Sequence, residues 1–306
     1  MEKMIVKRDG SVEKFDESKI FKALKKAFIA ANITFNDNEI NELVSDIVKV
    51  TNGDTVSVEE IQDLVEKELM DKHYYEVAKL YIIYREKRNE LRQYRMALNN
   101  LVPSYNLNKT LKDIQREFNN PVYSLDKLYR KYESHFIYKM SEEEKLHTLI
   151  NSSLELISFE APLWSEIGAR LYLVNFYKEL KDNLKKYNLN DFESRINLYI
   201  NKFHYDKDLL NNYTKEELKS FEKLINRTKD KLIPYNLLHR ILINYLVKLG
   251  EIDYIESFQE FYLLIAMVLA KNEENKLSKV SEYYEALSKQ TLSLDNPLIL
   301  PILKNL

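Results

Sequence analysis

Four basic side chains in the amino-terminal region have the types and the spacing to bind a polyphosphate. Lys7 and Arg8 are neighbours on a short strand-like run, so their side chains point to opposite faces. Lys19 falls in the first turn of a predicted helix, where a cation opposes the helix dipole unless an anion lies beside it. Lys87 follows the apolar face of a later predicted helix, which could close the same pocket. Polyphosphates accept hydrogen bonds from such side chains, and a solvated charged surface is the alternative that spacing alone leaves open.

The composition excludes several other kinds of chemistry. The 306 residues include no cysteine, so the chain has no disulfide, thiolate metal site or cysteine nucleophile of its own. Its four glycines cannot form either of the common glycine-rich phosphate-binding motifs. Lys and Arg total 46 against 48 Asp and Glu, a net charge of −2, which argues against a non-specific nucleic-acid binder. The five histidines lack a metal-ligand spacing, so no metal site is predicted. No catalytic residue is assigned.

The elements that must position the basic side chains are a hairpin and four helices. Two strand-like runs, 4–8 and 12–15, flank Asp9-Gly10-Ser11, and Asp-Gly between such runs is a strong hairpin signal. Asp16 stands where the N-cap of the first helix is expected. Apolar residues at helical spacing predict further helices over 37–50, over 58–71 and from residue 74 past Arg85.

The rest of the chain is predicted to be helical. Clustered turn residues and Pro103 predict a linker over 93–106. Gly250 is placed at a helix C-terminus. Apolar periodicity predicts eight further helices, near 108–118, 124–133, 141–157, 164–184, 214–227, 234–249, 256–271 and 276–289.

Membrane and export signals are not expected. The amino terminus lacks the apolar stretch of a signal peptide. The longest apolar run, 261–270, has the length of a buried core helix rather than of a membrane span. The expected compartment is the cytoplasm.

The first part of the chain resembles a known regulatory module. The resemblance rests on two segments, Ile5-Val-Lys-Arg-Asp-Gly-Ser-Val-Glu-Lys-Phe-Asp-Glu-Ser-Lys-Ile20 and Val77-Ala-Lys-Leu-Tyr-Ile-Ile-Tyr-Arg-Glu-Lys87. Both are similar to the ATP-cone, the nucleotide-binding module at the amino terminus of many ribonucleotide reductases. The similarity covers residues 1–92 and implies a small hairpin or three-stranded cap over four helices.

The resemblance implies a binding site for ATP or dATP as an allosteric effector, with Mg²⁺ accompanying the phosphates. By position in the motif, the triphosphate would contact Lys7, Arg8, Lys19 and Lys87. The base and sugar would be surrounded by Ile5, Glu13, Asp16, Ile20 and Gln62.

Residues 107–306 are similar to the helical amino-terminal region of the class I ribonucleotide reductase large (alpha) subunit. The similarity rests on 204–218, 244–262 and 284–294, and residues 124–184 look like a second, degenerate cone. Because the family reduces ribonucleotides with cysteines, this polypeptide could contribute to deoxyribonucleotide synthesis only with a cysteine-bearing catalytic portion. The sequence is therefore interpreted as a truncated or split large subunit, of mainly α class.

The implied partners are ATP or dATP, the catalytic remainder of the large subunit, the reductase small subunit and further copies of this chain. Nucleic acid and membrane are not expected partners. Two alternatives stay open: a stand-alone nucleotide-sensing module, and a helical interaction scaffold whose cone binds no ligand.

Overall fold

The computed structural model describes residues 3–8, 10–51, 53–292 and 296–304. The chain divides into two compact units, Met1–Gln93 and Tyr94–Leu306. Each unit has its own buried apolar core, and the second unit has two. The predicted fold class, mainly α with a small amino-terminal sheet over helices, is confirmed.

A three-stranded sheet opens the first unit. Its strands are β1 (Met4–Val6), β2 (Val12–Lys14) and β3 (Thr55–Ser57), in the order β2-β1-β3. The central strand β1 pairs antiparallel with β2 and parallel with β3, so Ile5 lies between Glu13 and Val56. Gly10 has a φ of 81°, which suits glycine in the predicted hairpin turn, and Asp9 lies outside the described residues.

Four helices complete the first unit. They are α1 (Glu17–Ala30), α2 (Asp37–Val50), α3 (Val58–Asp71) and α4 (Tyr75–Leu101), of which the residues up to Gln93 belong to this unit. The Asp16 side chain accepts a hydrogen bond from the Ser18 backbone, as predicted for the N-cap of α1. Asn36 and Ser57 begin α2 and α3 with capping boxes. Residues 93–101 of the predicted linker are helical because α4 continues until it approaches Pro103, which cannot supply a helical N–H.

The second unit is built from helices. Its α-helices are α5 (Asn108–Glu117), α6 (Leu125–Glu133), α7 (Glu142–Glu155), α8 (Trp164–Lys186), α9 (Phe192–Phe203), α10 (Asp208–Asn211), α11 (Lys215–Glu222), α12 (Tyr235–Asn244), α13 (Phe258–Ala270), α14 (Lys276–Ser288) and α15 (Asn296–Lys304). Short 3₁₀ turns cover Pro103–Tyr105, Pro121–Tyr123 and Arg227–Leu232. Helix α13 is buried along nearly its whole length, as the apolar run at 261–270 predicts.

Two local predictions for the second unit are wrong. The helix predicted to reach residue 249 ends at Asn244, because the Val247 N–H leaves the helix to donate to the buried Glu256 carboxylate at 2.9 Å. The chain then forms β4 (Lys248–Leu249) and β5 (Asp253–Tyr254), which pair antiparallel. Gly250, at a φ of 66°, lies in the turn between these strands and not at a helix C-terminus. Helices α9, α10 and α15 are absent from the sequence prediction.

No helix within the described ranges combines the length and the apolar character needed to cross a bilayer.

Helices α7 and α8 approach closely at Gly168, so a substitution at this glycine tests the packing of the two helices. A Cβ built there would lie 2.7 Å from Ser153 Oγ and 2.9 Å from a Leu154 side-chain carbon. Ser153 is fully buried and its hydroxyl donates to the Ile150 carbonyl, so it has little room to move. We expect Gly168→Ala to lower the free energy of unfolding by about 1–3 kcal/mol, since overpacking outweighs the better helix propensity of alanine.

Urea denaturation followed by the fluorescence of Trp164, the single tryptophan, measures this effect within the second unit. The matched control is Lys181→Ala at an exposed position of the same helix, which should change stability by less than about 0.5 kcal/mol. A Gly168→Ala variant as stable as the control would contradict the close approach.

Candidate nucleotide site

The Glu13 carboxylate lies between two of the predicted phosphate-binding ammonium groups. Lys7 follows β1 directly, and pairing of β1 with β2 brings its ammonium into an ion pair with Glu13 Oε1. Lys19, in the first turn of α1, has its Nζ 3.8 Å from Glu13 Oε2. The hairpin and the start of α1 thus bring Lys7, Glu13 and Lys19 together, as their assignment to one site requires.

Arg8 and Gln62 are also brought together. The parallel pairing of β1 with β3 sets the start of α3 beside the end of β1. Arg8 Nη2 donates to Gln62 Oε1 at 2.8 Å, and its Nε donates to Glu59 Oε1. The guanidinium that would bind phosphate therefore has an internal carboxylate and an amide as partners.

Glu59 connects Arg8 to a second guanidinium on α4. Arg85 Nη2 donates to Glu59 Oε2 at 2.8 Å, and Arg85 Nη1 donates to Asp63 at 2.6 Å and Glu66 at 2.7 Å. The hydrogen bond from Arg8 is the main cause that lowers the pKa of Glu59 to about 2, and Arg85 lowers it further. Glu59 is therefore ionised at any physiological pH.

Three of the residues predicted around the base and sugar, Asp16, Ile20 and Ile5, have structural roles in the first unit. Asp16 caps α1, and the hydrogen bond from Ser18 lowers the pKa of its carboxyl. Ile20 is buried in the core of the first unit, and the half-buried Ile5 packs against the same core. Ile20 follows Lys19 in α1, and Ile5 pairs with Glu13 across the sheet. Asp16, Ile20 and Ile5 remain predictions for the nucleoside contacts.

Lys87 is not joined to the other three cations. It is exposed on α4, and among the residues that the structure describes its ammonium has no ion-pair partner. Arg85, two residues earlier on the same helix, takes the inward position. Lys87 therefore stays a prediction that a bound nucleotide would have to test.

A pocket of about 300 Å³ lies between α1 and α4 and shares Lys19 with the predicted site. Tyr81 and Tyr84 contribute rings to its wall. Burial raises the pKa of Tyr81 to about 12. Its hydroxyl, like that of an ordinary tyrosine, is neutral at physiological pH and can donate a hydrogen bond. The lining residues are Lys19, Lys22, Ala23, Lys26, Ala27, Ala30, Leu80, Tyr81 and Tyr84.

Sequence reasoning missed Glu59, Arg85 and the lysines at positions 22 and 26. Glu59 reads as an ordinary acidic residue in a helix first turn, which the dipole alone explains. A better signal was present, since Glu59, Asp63 and Glu66 recur at i, i+4 and i+7 and must share one face of α3. Three acids on one helix face predict a basic partner on the helix that packs there.

Comparisons with known proteins match both units. Residues 3–90 match the ATP cone domain family, and residues 232–300 match the all-alpha domain of ribonucleotide reductase. These matches confirm the resemblance inferred from the two motif segments of the first unit and from 244–262 and 284–294 of the second.

Curated relatives extend the similarity over almost the whole chain. The ribonucleoside-diphosphate reductase subunit alpha of Treponema pallidum (strain Nichols) is 29% identical over an alignment of 309 positions, which covers 96% of this chain and 36% of that protein. The corresponding subunit of Chlamydia pneumoniae is 28% identical over 93% of this chain and 30% of its own length. The vitamin B12-dependent ribonucleoside-diphosphate reductase of Thermoplasma acidophilum is 43% identical over 100 residues. The chain thus spans about a third of the length of the alpha subunits that it matches along nearly all of its residues.

Proposed function

We propose that this chain, a homologue of ribonucleotide reductase alpha subunits, binds ATP or dATP in its ATP cone and transmits that binding as an allosteric signal. The second unit, which includes the reductase all-alpha domain, serves as the part that receives the signal and meets a catalytic portion. The comparisons support a nucleotide effector for the cone, and the assignment of individual residues is our own.

The observation that carries this proposal is the gathering of Lys7, Arg8 and Lys19 at the end of β1 and the start of α1. Glu13 pairs with both Lys7 and Lys19, and Arg8, the residue after Lys7, pairs with Glu59 on α3. A triphosphate carries more negative charge and more acceptor oxygens than a carboxylate, so it could bind these cations together. Mg²⁺ would arrive with the phosphates, because it prefers phosphate oxygens and water to an all-protein cage.

Allosteric control follows from linkage. ATP and dATP differ only at the 2′ position of the sugar, so the cone must convert a small difference in fit into a difference between assemblies. An effector can shift such an equilibrium only by its differential affinity for the two states.

The proposed partners are a cysteine-bearing catalytic portion, because this chain has no cysteine, together with the reductase small subunit and further copies of the chain. The cytoplasm is the proposed compartment.

Equilibrium titration of the full chain with dATP and ATP tests the proposal. We expect saturable binding that weakens about 100-fold in the Lys7→Ala/Arg8→Ala double variant, since two charge-assisted hydrogen bonds contribute roughly 3 kcal/mol together. The matched control is Lys219→Ala/Lys223→Ala, which removes the same charge from exposed positions of the second unit. Equal losses in the two variants would point to general electrostatics and against this site.

The outcome also separates the alternatives. Absence of binding at millimolar nucleotide favours a helical interaction scaffold. Nucleotide binding without co-purification of any cysteine-containing reductase chain favours a stand-alone sensor. Recovery of ribonucleotide reductase activity on mixing with a cysteine-bearing catalytic portion supports the reductase assignment.

A further inference from the structure

We propose that Glu59 is an internal competitor of the nucleotide, holding Arg8 on its own carboxylate until a phosphate group displaces it. This inference rests on the proposed function and adds a regulatory element to the same site. It concerns a residue outside the predicted nucleotide contacts.

The contact geometry places Glu59 where a phosphate oxygen would compete. Arg8 Nε donates to Glu59 Oε1 and Arg8 Nη2 donates to Gln62 Oε1 at 2.8 Å, so this edge of the guanidinium is occupied from α3. The side chains of Arg8 and Glu59 are 26% and 44% exposed, so the pair is reached from solvent. A phosphate that binds the edge of Arg8 formed by Nε and Nη2 must therefore exchange with these partners.

Arg85 lowers the free-energy cost of that exchange. Its Nη2 holds the second oxygen of Glu59 at 2.8 Å, so the carboxylate keeps a charged partner after Arg8 has left. Arg85 is itself anchored by Asp63 and Glu66, at 2.6 and 2.7 Å. Release of Arg8 thus leaves no buried charge unpaired, which is the usual obstacle to breaking an ion pair.

Arg85 also explains why the competitor persists. Two guanidinium groups stabilise the ionised form of Glu59, so the carboxylate stays charged and stays in place while the nucleotide is absent. The apparent affinity for nucleotide is then the intrinsic affinity multiplied by the fraction of chains in which Arg8 is released from Glu59. An exposed pair of this kind reduces the affinity modestly, by about fivefold.

The test is nucleotide affinity in Glu59→Gln, measured by titration of the full chain with ATP. We expect binding about fivefold tighter than in the natural sequence, because the amide is a weaker partner for Arg8 than the carboxylate. The matched control is Asp63→Asn, which removes one negative charge and one partner of Arg85 but does not touch Arg8. The control should bind ATP within twofold of the natural sequence.

A second comparison isolates the pathway through Arg8. In an Arg8→Ala background, Glu59→Gln should no longer change the affinity, because the side chain over which Glu59 competes is gone. Thermal unfolding without nucleotide, followed by circular dichroism, checks that each variant is folded.

The results distinguish this inference from the proposed function. If the natural chain binds ATP and Glu59→Gln binds it equally or more weakly, Glu59 is not a competitor and the nucleotide site stands. A gain of the same size in Asp63→Asn would likewise overturn the inference, since it would show general electrostatics. If neither the natural chain nor Glu59→Gln binds ATP at millimolar concentration, the proposed function itself fails.

Discussion

Replacing Arg195 with methionine should destabilise the second unit by about 3–5 kcal/mol, the usual cost of removing one partner of a buried ion pair. The side chains of Arg195 and Glu260 are only 6% and 3% exposed, and Arg195 Nε donates to Glu260 Oε1 at 2.6 Å. Arg195 Nη1 also donates to the carbonyls of Leu189 and Asn190, each at 3.0 Å. The substitution would therefore remove the cationic partner of a buried carboxylate and leave Glu260 Oε1 and two backbone carbonyls without this donor.

Urea denaturation followed by Trp164 fluorescence measures this loss. The control is Lys215→Met, which breaks an ion pair with Glu193 whose side chains are 73% and 36% exposed and should cost less than about 1 kcal/mol. The double variant Arg195→Met/Glu260→Gln should recover part of the stability, because it removes the orphaned charge. A single-variant loss as small as that of the control would show that Arg195 is not a buried anchor.

Replacing Glu256 with glutamine should make the stability of the second unit much less dependent on pH. Glu256 is fully buried, and its Oε2 accepts from the Val247 N–H at 2.9 Å and from the Tyr205 hydroxyl at 3.4 Å. Burial is the main cause that raises the pKa of Glu256 to about 8, and the nearby Glu260 raises it further.

The sign of the effect follows from proton binding. Between pH 4.5 and pH 8 the folded chain holds a proton on Glu256 that the unfolded chain has released, so the free energy of unfolding falls as pH rises. The contribution is fully present below pH 4.5 and is lost through about pH 8, and it amounts to about 4–5 kcal/mol across the window. Asp230, whose pKa burial raises to about 6, adds a smaller fall of the same sign at lower pH in both proteins.

Denaturation curves of the natural chain and Glu256→Gln at pH 5, 6, 7 and 8 isolate the contribution of this one group. We expect the difference in stability between the two proteins to grow in favour of the variant as pH rises. Parallel pH profiles would show that Glu256 titrates at its ordinary value and would contradict this account.

The basic motif of the site was predictable because it depends on local order in the chain. Lys7, Glu13 and Lys19 lie on a hairpin and the helix that follows it, so their meeting requires only contacts between neighbouring elements. Arg8 and Gln62 are distant in the chain, and their proximity was available only through the resemblance to the cone. The fold class followed from the long apolar periodicities, which need no tertiary information.

Other features depend on tertiary context that no periodicity encodes. Arg85 turns inward and Lys87 outward because three acids of α3 face the helix at one position and not at the other. The end of α12 and the turn at Gly250 depend on a buried carboxylate that withdraws the Val247 N–H. In each case a partner outside the helix decides the local structure, 19 to 26 residues away for Arg85 and 9 residues away for Val247.

The parallel pairing of β1 with β3 has a consequence for how the chain acquires its site during synthesis. The central strand emerges first, but one of its two neighbours, together with the helix that carries Glu59 and Gln62, is made only after α1 and α2. A two-stranded hairpin alone is marginal in water, and pairing between distant strands forms late. A nascent chain released before residue 62 would therefore expose Arg8 and the edge of β1 to other proteins, whereas a longer one can close the cap on itself.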